Sequence, residues 1–475
     1  MAYVTRKRIV RIILFLVLAA AVGFGYANRD YVRPLGIAAG FKARILCAGV
    51  FLSGRTPESV LSEDIAFDSR FGMLKPKIDS EKKSVSASLF GTGLLKNAAI
   101  YDEQLGAILL SGVSEATVRG WKPNIAGPEP QNPETVAWPS GDLASNEPLP
   151  ESVNISALNA AVDKVFSEPD PDHRTRTRAV LVVFDGRIVA ERYATGFTKD
   201  TRLISWSMAK SVTSALIGIL VREGKIDIRQ PAPVPEWSAP DDPRHAITVE
   251  HLLWMSPGLE WFEAYEDRPY SDVNLMLFTK PDMAAYAAVK PLIAPPGQKM
   301  EYSTGTTMLL SRIIRQAAGN LEDYWAFPRR ELFNKIGMWS AMFNTDASGT
   351  FLTGSDLFAT ARDYARFGLL YLNDGVWNGE RILPEGWVAF STTPAPSAKK
   401  GDYGAQFWLN KGDPADPLNR MYPRLPQDIY LAEGYQGQMI AVIPSRKIVV
   451  VRLGMTYDDK WGLEAFLEEV LKAIQ

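Results

Sequence analysis

The thiol and the imidazole are the scarce chemistries of this chain. There is one cysteine, Cys47, and there are three histidines, His173, His245 and His251. A single thiol excludes an internal disulfide framework and a cysteine-built metal cluster, and the histidines form neither a His-x-x-x-His nor a His-Glu-x-x-His arrangement, which argues against a zinc hydrolase. The chemistry read below calls for no metal and no cofactor. Gly-x-Ser-x-Gly is absent, which removes the nucleophile elbow of the α/β-hydrolases. An excess of charge is missing too. With 52 basic against 54 acidic residues, and no long basic run past the first few positions, nucleic acid is not the expected partner. A small neutral or mixed-charge molecule suits the chain better.

What is present begins with a membrane signal. Arg6, Lys7, Arg8 and Arg11 precede an uncharged apolar run over 12–27. Cations before such a run stay on the cytoplasmic side, so the body of the chain is expected outside the cytoplasm, in the periplasm. The run falls short of the ~20 residues of a full span. Residues 1–29 are read as a retained anchor, with cleavage near Gly25-Tyr26-Ala27 as the alternative. Residues 30–120 form a small preamble of unknown role, with a helix over 37–52 weakened by Gly40 and Gly49, then short alternating strand-like pieces. Cys47 lacks the small preceding residue of a lipidation site and reads as buried. Residues 121–150 hold seven prolines and read as a linker. The main domain is placed at 151–475.

That domain is organised around Ser205-Trp-Ser-Met-Ala-Lys-Ser211. Apolar residues at 208, 212, 215, 216 and 219 follow helical spacing, and Ser207 stands where the helix begins. Ser207 and Lys210 then share one face, a hydroxyl with an amine beside it. Packing against a buried helix lowers an ammonium pKa and fits Lys210 to take the serine proton. Ser-x-x-Lys recurs at Ser80/Lys83 and Ser397/Lys400, but both copies lie in polar, loop-like text with no apolar helix following.

Around this helix, 153–166 reads as a helix and 178–184 with 187–193 as a hairpin closed on Asp185-Gly186. A mostly helical section covers 248–390. Residues 438–443 and 448–453 form a second hairpin, and 461–474 a last amphipathic helix. An α+β fold follows: an antiparallel sheet flanked by N- and C-terminal helices, with a mostly helical second lobe.

Two further phrases stand downstream, Glu301-Tyr302-Ser303-Thr304-Gly305 and Glu433-Gly434-Tyr435-Gln436-Gly437-Gln438. Ser-Met-Ala-Lys, Tyr-Ser-Thr and Gly-Tyr-Gln-Gly-Gln, in that order, resemble the serine β-lactamase and penicillin-binding-protein superfamily. The nearest likeness is to its class C-like branch of esterases and 6-aminohexanoate-dimer hydrolases, over about 150–475. The resemblance implies a β-lactamase-like fold, with Ser207 as acylated nucleophile, Lys210 as base and Tyr302 as proton shuttle to the leaving group. It also implies the amides of Ser207 and Gln438 as oxyanion donors, on a third motif that includes Tyr435 and Gly437. Thr304 replaces a common asparagine, and Tyr435 replaces a lysine or histidine that pairs with substrate carboxylates. Tyr403, Phe407 and Trp408 read first as core and second as pocket lining; Tyr403, Trp408 and Thr304 are the candidate substrate contacts. His245 and His251 read as structural. The expected substrate is a small amide or ester, with a D,D-peptidase or β-lactamase, or a non-catalytic sensor of cell-wall fragments, as alternatives.

Overall fold

The computed structural model describes residues 29–125, 132–145, 147–265, 268, 270–457 and 460–474, with no account of side chains 29–33 and 70. The apolar run 12–27 lies outside them. The first described element, helix α1 (Arg29–Cys47), continues as a π-helical turn, Ala48–Leu52, and is buried over 39–49. A helix that is apolar nearly all round belongs inside a protein or a membrane. Among the described residues, Pro34–Leu52 is the one helix long and apolar enough to cross a membrane, and 72% of that window is buried inside the protein.

What buries α1 is a four-stranded antiparallel sheet, β1 (Leu74–Asp79), β2 (Ser84–Leu89), β3 (Leu94–Asp102) and β4 (Gly106–Leu109), paired in chain order. Its other flank meets the helix Asp272–Thr279 so closely that a Cβ on Gly40 would stand 2.2 Å from the Phe278 carbonyl oxygen. Read from sequence, Gly40 weakens the helix; in the fold, its missing side chain is what lets two helices touch. Arg44 spans the same seam, fully buried, donating to the Leu277 carbonyl at 2.8 Å and pairing with Asp356 at 3.1 Å.

After this region, residues 132–145 run along the main body. The Trp138 indole donates to the Gly186 carbonyl, and the Arg366 guanidinium grips the carbonyls of Pro139 and Gly141. Helix α2 (Ile155–Phe166) then leads into β5 (Thr177–Phe184) and β6 (Arg187–Tyr193). Asp185 and Gly186, at φ 46° and 79°, make the left-handed two-residue turn expected from Asp-Gly. Helices α3 (Met208–Arg222), α4 (Asp272–Thr279), α5 (Thr304–Ala318) and α6 (Ala361–Leu372) follow, then β7 (Trp408–Leu409), β8 (Tyr430–Gly434), β9 (Gln438–Ile443), β10 (Ile448–Gly454) and α7 (Leu463–Ala473). The six strands pair antiparallel in the order β7-β8-β9-β10-β5-β6, so the two expected hairpins lie side by side.

Alternation sorts the sheet's two faces. Val180, Val182 and Val450 join a core beneath α2 and α7, while Leu181, Val183, Val449 and Val451 face the larger core with α3 and α6. That larger core is continuous from Ile37 and Phe41 of α1 through Leu216 of α3 to Leu309 of α5. The preamble therefore shares its interior with the main domain.

Candidate active site

Ser207 is the N-cap of α3, held in a helical conformation behind Trp206, whose φ of 42° is one that bulky side chains rarely adopt. Trp206 is fixed there by its indole N–H, 3.1 Å from Gln436 Oε1, and by edge contact with the Tyr435 ring. Backbone held in a sparsely populated region at a cost of ~1–3 kcal/mol is a recurrent mark of functional turns.

One turn on, Lys210 is 1% exposed, and its Nζ contacts three oxygens: Ser207 Oγ at 2.9 Å, Thr304 Oγ1 at 3.0 Å and the Gly354 carbonyl at 2.7 Å. Burial brings its pKa down to about 8, with the Glu263 carboxylate acting in the opposite direction. The Tyr302 ring stands beside the Ser207–Lys210 pair, its centroid 5.0 Å from Lys210 Nζ. Burial drives the phenol well above its ordinary pKa; the nearby Ser207 hydroxyl acts to lower it, while Glu263 and Glu433 raise it further. The Tyr302 phenol is thus neutral at physiological pH. It stacks on Trp408 at 5.3 Å, with Tyr403 at its edge. Tyr403 is 1% exposed and supports Tyr302 from behind, whereas Trp408 faces open space.

Thr304 opens α5, where Ser303 caps the helix. Its hydroxyl donates to Glu263 Oε1 at 2.6 Å, and its amide donates to Glu263 Oε2 at 3.1 Å. Glu263 also accepts from the Trp261 indole and the Tyr265 phenol. Four donors on one carboxylate hold Thr304 and Tyr265 in place.

The third motif is the turn 435–437 between β8 and β9. Gly434 runs so close to the serine turn that a Cβ there would fall 2.1 Å from the Ser205 carbonyl oxygen and 3.1 Å from the Ser207 amide nitrogen. Gly437 accepts at 2.8 Å from Arg452, which is wholly buried behind the turn. The Gln438 side chain is bound to both backbone groups of Gly454, at 2.6 and 3.0 Å. Tyr435 stacks on Tyr265 with centroids 4.8 Å apart.

Ser207 thus lies where two spaces join. One is a partly open, mostly apolar cavity of about 250 Å³ that reaches α1; the other is a more open cleft of about 590 Å³. Ser207, Tyr265 and Tyr435 line both, Thr304 lines only the cavity, and Tyr302, Trp408, Gly437 and Gln438 line only the cleft. The fold gathers the catalytic and third-motif candidates with Thr304 and Trp408, while Tyr403 stands one layer back and Phe407 lies in the core. His251 is engaged elsewhere, in the capping box of Thr248. The sequence reading missed Glu263 and Tyr265, which stand together in Trp261-Phe-Glu-Ala-Tyr265. It also found nothing chemical in the preamble, whose apolar lining residues look like ordinary core.

Residues 162–458 match the beta-lactamase family over more than half of the chain. The chain belongs to the beta-lactamase family. Within that serine hydrolase family it is 28% identical over 267 residues to the 6-aminohexanoate-dimer hydrolase of Paenarthrobacter ureafaciens, an alignment covering 53% of this chain and 66% of the relative. The chain therefore spans just under two thirds of that relative's length. Among solved structures, a penicillin-binding-protein homolog from Caulobacter crescentus superposes with a TM-score of 0.51 at 16% identity, over 69% of this chain and 98% of the other. EstCE1, a hydrolase with promiscuous acyltransferase activity, gives 0.53 at 16% identity over 67% and 99%. These likenesses establish the β-lactamase-like α+β fold.

Proposed function

We propose that this chain is an exported serine hydrolase that cleaves a small ester or amide through an acyl-enzyme on Ser207. The observation that carries the reading is the three-way contact of Lys210 Nζ. The Gly354 carbonyl accepts only, and Thr304 Oγ1 gives its own proton to Glu263 and so accepts from Lys210. A neutral Lys210 amine with its two protons on those acceptors directs its lone pair at the Ser207 hydroxyl.

In the first step Ser207 Oγ bonds to the substrate carbonyl carbon and its proton passes to Lys210. The resulting oxyanion is assigned to the amides of Ser207 and Gln438. Collapse breaks the bond to the leaving group, which takes a proton from Tyr302, and Lys210 restores the phenol. Water attacks the acyl-enzyme by the same path and frees Ser207.

Substrate choice is read from Tyr435, a neutral ring beside Ser207. The cation in the cleft lining, Arg424, is engaged with Glu464 and Glu468, and Arg420 is bound to the carbonyls of Pro423 and Leu425. A missing charge-assisted contact of ~1.5–3 kcal/mol weakens recognition of an anionic group by ~10- to 150-fold. Neutral esters are therefore expected to outperform penicillins. Export rests on the basic-then-apolar start, and an alkaline phosphatase fusion after residue 60 is expected to be active.

The deciding experiment is fluorophosphonate labelling of the full chain with mapping of the modified peptide. Label on Ser207 is expected; label elsewhere, or none on folded protein, sinks the mechanism. A comparison of kcat/KM on p-nitrophenyl acetate and nitrocefin tests the preference, and nitrocefin winning would return the β-lactamase reading.

A further inference from the structure

The mostly apolar cavity beside Ser207 is walled on one side by the hydrolase body and on the other by the preamble. At its reacting end stand Trp206, Tyr265, Tyr435 and Thr304; its far end is Ile37 and Phe41 of α1, Phe71 just before β1, and Leu277 and Phe278 of α4. The polar side chains among the far lining are Asp68 and Asn274, and the Asn274 amide is bound to the carbonyls of Ala264 and Tyr265. The seam between the two walls is preformed, closed by Gly40 against Phe278 and by the buried Arg44–Asp356 pair. An apolar space of this kind favours an aliphatic chain over water.

Direction follows from Tyr302. It lines the open cleft and not the cavity, so a leaving group that takes its proton from Tyr302 departs on the cleft side. The other half of the scissile group then faces the cavity. We propose that the preamble completes an acyl-chain pocket, and that the substrate is a soluble ester or amide whose acyl part is a linear aliphatic chain, with a polar alcohol or amine held in the cleft. The proposal rests on the acyl-enzyme reading above.

The test is a chain-length series on the full protein, p-nitrophenyl acetate, butyrate, hexanoate and octanoate. Each methylene taken up by an apolar pocket adds up to about fourfold in kcat/KM. A rise of at least about tenfold from acetate to octanoate is expected, on that same scale. Ala38→Trp and Leu277→Trp, which place an indole in the cavity, are expected to cut the octanoate-to-acetate ratio by roughly tenfold, equivalent to blocking about two methylenes. A flat or falling wild-type series alongside clear acetate turnover overturns the pocket while leaving the hydrolase intact, and so does an unchanged ratio in folded variants. Should either variant fail to fold, wild-type labelling rates with ethyl and octyl p-nitrophenyl phosphonates decide, octyl being faster if the pocket is real and no faster if it is not. No turnover of any ester, with no label on Ser207, would instead sink the underlying mechanism.

Discussion

Burial strips water from the Lys210 ammonium and brings its pKa down to about 8, so an amine that acts as a base is mostly protonated at pH 7 and free above its pKa. The kcat/KM for a neutral ester is therefore expected to fall about tenfold per pH unit on the acid side of that value. Glu263 sets where the fall begins. Its carboxylate raises the Lys210 pKa against the larger effect of burial, so Glu263→Gln is expected to move the acid limb to lower pH, a displacement that a purely structural role would not produce. An unmoved limb would mean that Lys210 is not the titrating base. Lys210→Ala and Tyr302→Phe are each expected to lose ~10²–10⁴-fold in rate while remaining folded. The grouping of Ser207, Lys210 and Tyr302 was expected because three phrases in order resemble one family; spacing alone is weak, since Ser-x-x-Lys occurs twice more in this chain. Glu263 was not expected. Its role is created by Thr304, 41 residues away, and a lone glutamate in a loop carries no sign of that contact.

Strands and hairpins were easier to read than helix contacts, because a two-residue period and an Asp-Gly turn are local properties, whereas Gly40 gains its meaning from Phe278. The same distinction applies to Gly434. In sequence it is a strand glycine beside a motif; in the fold it is where β8 slides along the serine turn. Alanine there would put a methyl group 2.1 Å from the Ser205 carbonyl oxygen and 3.1 Å from the Ser207 amide, and both neighbours are backbone. The strand must then move away from the nucleophile. Gly434→Ala is expected to reduce fluorophosphonate labelling of Ser207 by ~10²-fold or more, the scale of losing an oxyanion donor. Its far-UV circular dichroism should match wild type, since Gly434 is the last residue of β8 and the ladder from Tyr430 to Glu433 remains paired. Labelling at the wild-type rate would show that the third motif does not need this close approach.

At the scale of the whole molecule, the boundary suggested by composition and the boundary of the core differ. The proline-rich stretch 121–150 separates two texts, and the family match covers 162–458 alone. The core runs across that boundary, since Ile37, Phe41, Ile45 and Leu46 of α1 belong to the same core as Leu277, Phe278 and Trp206. Losing those four side chains alone removes ~1.5–3 kcal/mol of burial each, which is comparable to the ~5–15 kcal/mol by which a folded domain is stable. It also leaves Asp356 buried without Arg44, a loss of the order of 3–5 kcal/mol when one partner of an interior pair is removed. A fragment of residues 151–475 is accordingly expected to be insoluble, or to bind a hydrophobic dye and unfold without a cooperative urea transition. Supplying residues 29–125 as a separate chain should restore soluble protein and Ser207 labelling together, because the two parts meet through packing and not only through the connecting segment. A fragment that is soluble, monomeric and unfolds at the urea midpoint of the full chain would show that α1 is an accessory wall and that the hydrolase core stands without it.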